Sequence, residues 1–407
     1  MRHSTSRHTS RRKTISLATA SVSMAAVVAC AVAVQGNAFG TESKESQTAP
    51  STAATTTAEE CGAGTYQAEV AKSGDTWTAR DGDTVVYTGD DMFDAMNAGL
   101  SSLTPNRTAK ERLVVRGSGT ISASERLKLP SYTVLDVCGT INATGAVATD
   151  TGPIYSRGTH DVEVQHAKIT GAPMYGMFFR SVSNLTLGQI DMRLSGGLGI
   201  RIDNGSSSVP ATNTRIDNVY VSGASSHAVE TAGLDGVTIG TVTARDVGEA
   251  GLLLNTTTNA EVGTVDAENV GAGTGYAAFR MANRNGRIGD SYETNIHVKK
   301  VIARGGGRGI FCVSESGGAV IDRVDIADTG NDAILAENCY NLTIATDSGT
   351  VSGPGGIRLA ARDEFANTRD VTLENLTVTD SSIKESPCAE NTVIKNVELV
   401  NTTKDVC

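Results

Sequence analysis

Charged side chains recur at equivalent positions of a repeated Gly-apolar-x-apolar pattern between residues 176 and 359. The variable position of this pattern is Arg201, Glu230 and Arg280 in three of the repeats. Arginine can bind a carboxylate through two parallel hydrogen bonds, and a glutamate can orient such an arginine or transfer a proton. If the repeats stack on one another, these residues form one site for an anionic ligand.

The residues near this column suit removal of a proton beside a bound carboxylate. That chemistry needs a cation on the carboxylate, a base for the proton and an acid for the leaving oxygen. We predict that Arg201 and Arg280 bind the carboxylate and that Glu230 orients an arginine or holds a metal. We expect His227 or Tyr276 to transfer protons. The candidate catalytic residues are therefore Arg280, Glu230, His227 and Tyr276, and the candidate substrate-binding residues are Arg180, Arg201, Asp203, Arg284, Arg287 and Arg308.

The charge distribution also favours an anionic ligand. The chain has 35 basic and 45 acidic residues, and the five basic residues of positions 1–40 leave 30 against 45, or −15, if that segment is removed. Residues 280–308 are basic in contrast. They contain seven Lys and Arg and only two acidic residues, Asp290 and Glu293, which gives this segment a net charge of +5. An acidic chain argues against nucleic acid as a partner, whereas one basic groove suits an acidic polymer.

No motif demands a cofactor. Asp203, Glu230 and Asp246 are oxygen donors that could bind Ca²⁺, but no contiguous calcium-binding loop is present. We therefore assign no metal-ligating residue and keep calcium as an open alternative.

The elements that position these residues follow from the repeat. Its units start 23 to 31 residues apart, at Gly176, Gly199, Ala228, Gly251, Ala278, Gly309, Ala333 and Gly356. Within each unit, short strands alternate apolar and polar residues, so that one face is buried. Three short strands in slightly more than twenty residues are typical of one turn of a parallel β-helix, and we predict an all-β, right-handed solenoid.

The N-terminal part of the sequence predicts an export signal, followed by a helix that caps the end of the solenoid. Residues 1–40 combine basic residues, an apolar run and a small-residue end, as a signal peptide does, although an uncleaved anchor is the alternative. Residues 41–60 read as a disordered linker, and 61–407 as a single β-helix domain. Asp90-Asp91 before Met92, Phe93, Met96 and Leu100 predicts a short capping helix. We expect a secreted, extracellular monomer with no membrane contact after cleavage.

The cysteines fit an oxidising environment. Six follow residue 40, and an even number in an exported chain indicates disulfides. Spacing does not fix the connectivity, but pairing sequence neighbours gives Cys61–Cys138, Cys312–Cys339 and Cys388–Cys407. No Cys-x-x-Cys is present, so neither a zinc knuckle nor a redox motif is indicated.

The coil pattern, the capping helix and the unit Asp328-Thr329-Gly330-Asn331-Asp332-Ala333-Ile334 resemble the pectin-lyase-like superfamily. The resemblance implies a right-handed parallel β-helix and a role among polysaccharide lyases, glycoside hydrolases, esterases, epimerases, adhesins or tailspikes. The paired aspartates, Gly-His-Gly and Arg-Ile-Lys of the superfamily's pectin hydrolases are missing.

Lyase chemistry on an extracellular, uronic-acid-containing polysaccharide fits the arginines best. A glycoside hydrolase would instead use two carboxylates, chosen from Glu230, Asp203, Asp246 and Glu249. An epimerase shares the proton-abstraction step with a lyase. A non-catalytic glycan-binding β-helix is the remaining alternative.

Overall fold

The computed structural model describes residues 60–407 except residues 208, 283, 285, 286 and 290. The predicted signal peptide, and all but the last residue of the predicted linker, lie outside the described residues. One α-helix and 26 strands occur in the described part of the chain, and the strands join in one continuous sheet. No helix among these residues is long and apolar enough to cross a membrane.

The first strands and the helix close one end of the solenoid. They are β1 (Ala68–Ser73), β2 (Thr76–Asp81), β3 (Thr84–Gly89) and α1 (Met92–Ser102). The helix confirms the predicted cap, since the Asp91 carboxylate accepts a hydrogen bond from the Asp94 N–H at 2.8 Å. Its apolar side packs on the solenoid so closely that a Cβ at Gly99 would lie 2.9 Å from the side chains of Val70 in β1 and of Leu113 in the first coil. The antiparallel pairing of β2 with β1 and β3 was not predicted.

The coils follow in chain order. Those up to residue 232 comprise β4 (Glu111–Arg116), β5 (Gly119–Ser122), β6 (Leu127–Lys128), β7 (Thr133–Thr144), β8 (Ile154–Arg157), β9 (His160–Gly171), β10 (Tyr175–Arg180), β11 (Ser183–Leu194), β12 (Leu198–Asp203), β13 (Ala211–Ser222) and β14 (Val229–Ala232). The remainder comprise β15 (Leu234–Arg245), β16 (Leu252–Asn255), β17 (Thr258–Glu268), β18 (Ala277–Ala282), β19 (Ile296–Arg304), β20 (Arg308–Ala327), β21 (Ile334–Ser352), β22 (Ile357–Ala360), β23 (Arg369–Thr379), β24 (Ser382–Ser386), β25 (Val393–Val400) and β26 (Thr403–Asp405).

Every strand from β4 onward pairs in parallel with a strand of a neighbouring coil, which confirms the predicted parallel β-helix. The inward side chains of the short strands stack as one fully buried column: Ile200, Val229, Leu252, Phe279, Ile310, Ile334 and Ile357. Such columns supply the apolar burial that offsets the entropy of ordering the chain.

The long strands turn a corner halfway along their length. In β11 the alternation of buried and half-buried residues skips one position at Gly188 and Gln189. A Cβ at Gly188 would lie 2.3 Å from the Gln165 carbonyl oxygen of the preceding coil, so only glycine fits this close approach. Each coil therefore presents a short strand and the two halves of a long strand.

Three disulfides cross-link the solenoid, and each joins cysteines that are neighbours in the sequence, as the pairing of sequence neighbours predicts. Cys61 is bonded to Cys138, Cys312 to Cys339 and Cys388 to Cys407. Cys312 and Cys339 are fully buried between neighbouring coils.

Candidate functional site

The outward positions of the short strands form the predicted column. In register from coil to coil it reads Tyr155, Phe178, Arg201, Glu230, Leu253, Arg280, Phe311, Leu335 and Arg358. Successive residues are about 4.8 Å apart along the sheet, so Arg201 and Arg280 are separated by about 15 Å, or three coils. We call this set the short-strand column.

Much of the short-strand column is covered by other side chains, although the alternation within each short strand predicts that this outward face is exposed. Phe178 is fully buried, and Leu253 and Leu335 are 4% and 2% exposed. Leu253 packs with Ala250, Ala282 and Val313, outside the main core, and Tyr276 and Phe311 lie against them. Apolar side chains of neighbouring coils thus cover one another on the outer surface.

Four predicted residues form an arginine–carboxylate network, which comprises Arg180, Arg201, Asp203 and Glu230. Arg180 binds both carboxylate oxygens of Asp203, at 2.6 and 2.9 Å. Arg201 bridges the two acids, with its Nε 2.7 Å from Asp203 and its Nη1 2.6 Å from Glu230. Asp150, which sequence analysis missed, accepts a further hydrogen bond from Arg180. These charges are therefore largely satisfied within the protein.

The two carboxylates of the network differ in electrostatic environment. Burial opposes ionisation of Asp203, but the hydrogen bonds from Arg180 and Arg201 outweigh it and lower the pKa of Asp203. In Glu230, which is 6% exposed, burial dominates over Arg201 and raises the pKa. Glu230 is thus the better of the two to hold and release a proton.

His227 and Tyr276 meet beside the column, with their ring centroids 5.4 Å apart. The His227 Nδ1 accepts a hydrogen bond from the Ala250 N–H at 3.0 Å, so a neutral imidazole carries its hydrogen on Nε2. This Nε2 lies 3.2 Å from Glu249, which also accepts a hydrogen bond from Ser226. Burial lowers the pKa of His227 to about 4, against the raising effect of Glu249. The imidazole is therefore a hydrogen-bond donor at neutral pH and is poorly suited to be the base.

Arg280 is positioned by aromatic rings. Its guanidinium lies 4.4 Å from the ring centroid of Tyr276 and 5.3 Å from that of Phe311. Its Nε is buried and has no hydrogen-bond partner, and no described carboxylate pairs with the side chain. Stacking on two rings fixes the guanidinium while its charge stays uncompensated.

The remaining predicted basic residues are held elsewhere. Arg308 stacks 4.8 Å from the Phe311 ring and pairs with Asp332 at 3.4 Å. Arg284 lies beyond the end of β18, where it pairs with Glu315 at 2.5 Å, and Arg287 donates to the Gly289 carbonyl at 2.9 Å. The predicted single basic groove is wrong, because the lysines and Arg304 of β19 belong to the long-strand sheet.

The three acids considered for calcium do not converge. Asp203 is occupied by two arginines, and the exposed Asp246 accepts a hydrogen bond from Asn269 at a corner. Among the described residues, the one cluster with ligand atoms close enough for a metal is Cys61, Asp136 and Cys138, and its two cysteines form a disulfide. The donor set of the short-strand column does not fit a calcium ion.

Sequence analysis missed two residues of the preceding coil, namely Tyr155, which begins the short-strand column, and Arg157, which lies in register with Arg180. Tyr155 and Arg157 belong to β8, whose Ile-Tyr-Ser-Arg sequence carries the same alternation, although proline stands where other units have glycine or alanine. Arg157 lines a cavity of about 680 Å³ together with Arg180 and Arg201. This cavity adjoins the arginine–carboxylate network.

Comparisons with known proteins give little beyond the fold. No family model and no curated protein matches the sequence. The A-module of the mannuronan C-5 epimerase AlgE6 from Azotobacter vinelandii is similar over 77% of this chain and 95% of its own, at 11% identity and a TM-score of 0.38. The receptor-binding tailspike of bacteriophage Det7 is similar over 72% of both chains, at 11% identity and a TM-score of 0.34. Likeness at this level carries no argument about activity, and membership of the pectin-lyase-like superfamily stays an expectation.

Proposed function

We propose that the protein is an exported enzyme that cleaves a uronic-acid-containing polysaccharide by β-elimination at the short-strand column. The observation that carries this proposal is the uncompensated guanidinium of Arg280, held between two aromatic rings. In a chain with an excess of acidic residues, it is the basic group best placed to bind a carboxylate beside titratable side chains.

The neighbouring residues take the other roles. Arg280 neutralises the uronate carboxylate and so makes the adjacent carbon-bound proton more acidic. Tyr276, whose side-chain oxygen has no hydrogen-bond partner among the described residues, acts in its deprotonated form: the phenolate oxygen takes that proton and becomes the hydroxyl as the bond to the leaving oxygen breaks. Glu230 supplies a proton to the leaving oxygen, since burial raises its pKa. His227, held neutral, donates from Nε2 and does not act as the base.

A glycoside hydrolase is the second candidate, because Glu230 and Glu249 are close enough to interact electrostatically and differ in environment. Glu230 is buried with a raised pKa, as a general acid requires. Glu249 is more exposed and accepts hydrogen bonds from neighbours, as an ionised partner does. This assignment leaves Arg280 with no role in bond cleavage.

One assay separates these readings. The exported protein is incubated with uronic-acid polysaccharides and with neutral glycans, and ultraviolet absorbance and reducing ends are recorded together. β-Elimination creates a double bond conjugated to the carboxylate, so we expect both signals to rise on an acidic polymer. Reducing ends without absorbance would overturn elimination in favour of hydrolysis. Silence in both channels would point to an epimerase or a binding protein.

A further inference from the structure

A second pocket lies on the long strands, away from the short-strand column. It has a volume of about 310 Å³ and is formed by the second halves of β9, β11 and β13. Val137, Ala167 and Ile190 lie at its apolar base, and the Cys61–Cys138 disulfide borders it. We call it the lateral pocket.

His166 faces the lateral pocket with a fixed orientation. Its Nδ1 lies 2.8 Å from the carboxylate of Asp136, which is fully buried. The same carboxylate accepts hydrogen bonds from the Gly62 N–H at 2.8 Å and from Arg112. Because an ionised aspartate only accepts, Nδ1 carries the hydrogen, and neutral His166 presents the lone pair of Nε2.

The other polar side chains of the lateral pocket keep unused hydrogen-bonding capacity. Asn218 donates to Gln189 at 2.9 Å, which leaves the Asn218 oxygen and the Gln189 amide nitrogen without partners in the described structure. Lys168 is exposed and has no ion-pair partner among the described residues. Tyr220 completes the lining with an aromatic ring.

We propose that the lateral pocket binds a pyranose ring of a glycan, independently of the short-strand column. A pyranose has an apolar C–H face and a rim of hydroxyl groups, which match an apolar base, an aromatic ring and surrounding amide and imidazole groups. The His166 Nε2 accepts from a sugar hydroxyl, and the two amides bind neighbouring hydroxyls. Among the described residues, no serine or free thiol lines the pocket beside His166, and we assign the histidine–aspartate pair to binding.

Histidine resonances can test this pocket separately from the candidate active site. Protein expressed from the full chain with isotope-labelled histidine is titrated with uronic-acid and neutral tetrasaccharides at millimolar concentrations. His166 and His227 report on the two sites, and their resonances are assigned from the spectra of His166→Gln and His227→Gln. We expect at least one tetrasaccharide to shift the His166 resonance in a saturable way.

A matched pair of variants tests the contact residues. Asn218→Ala removes one amide group of the lateral pocket. It should therefore raise the dissociation constant measured at His166 about tenfold. Thr241→Ala lies on the next coil at the equivalent position, outside the lateral pocket, and should leave it unchanged. A shift of His227 alone, no shift of His166 with any tetrasaccharide, or equal weakening in both variants would overturn the proposal. Failure of the elimination assay would not affect it, because binding is read at His166.

Discussion

At the scale of single residues, the site depends on which charges the protein itself satisfies. Arg180 and Arg201 donate hydrogen bonds to Asp203, and Arg201 also donates to Glu230. Arg280 instead stacks on aromatic rings. Sequence analysis grouped all three arginines as candidate site residues but could not separate them, since pairing depends on side chains from other coils. For the same reason it could not foresee that the Ala250 N–H fixes the tautomer of His227.

The buried His227 makes stability depend on pH. Its pKa falls from 6.5 to about 4 on folding, so between these values the unfolded chain binds a proton that the folded state does not. The free energy of unfolding should therefore fall as the pH drops from about 6.5 to 4, by about 3 kcal/mol from this group, and level off below. Urea denaturation of His227→Gln across this range should show a shallower slope.

The control for this measurement is His297→Gln, which removes an exposed histidine from another coil. It reports any general consequence of losing one imidazole. Equal slopes for the wild type and His227→Gln would contradict the assignment of a buried, neutral imidazole.

At the scale of elements, the repeat predicted strand type, parallel pairing and register. Each short strand repeats one alternating pattern, and a shift of one residue would expose its inward column. Exposure of the outward column was not predictable, because coverage depends on neighbours that are distant in sequence. Leu253 is the clearest example, since Val313, 60 residues away, helps to bury it.

Leu253 should support the site through packing. It lies between Glu230 and Arg280 in the column and packs in the cluster that contacts Tyr276 and Phe311. Leu253→Ala should lower the free energy of unfolding by about 2–5 kcal/mol and also lower turnover, because the rings that hold Arg280 lose support.

Leu335→Ala provides the matched control. Leu335 occupies the same column, is 2% exposed, and lies two coils beyond Arg280. We expect denaturation to show a comparable loss of stability. Turnover of Leu335→Ala, measured at a temperature where both variants are folded, should stay near the wild-type value. Equal losses of turnover would mean that Leu253 acts only through global stability.

At the scale of the whole molecule, the described coils place Arg201, Glu230 and Arg280 along about 15 Å of the short-strand column. The chain carries a net charge of −10, which on average opposes the binding of an acidic polymer. Attraction must come from local cations whose charge no carboxylate cancels. Arg280 meets this requirement beside titratable groups.

Arg358 offers a stringent comparison for Arg280. It occupies the same short-strand column and has no carboxylate partner among the described residues, but it is exposed and no aromatic ring holds it. Loss of a positive charge alone would therefore affect both arginines equally.

The most direct test is the kcat/KM of Arg280→Ala and Arg358→Ala on an acidic polysaccharide that the wild type cleaves, with circular dichroism to verify folding. We expect Arg280→Ala to lose at least about 100-fold, since it removes charge stabilisation at the reacting carboxylate. Arg358→Ala should stay within about twofold of the wild type, as surface substitutions away from a site do. Wild-type turnover by a folded Arg280→Ala variant, or equal losses in both variants, would contradict the assignment of this site.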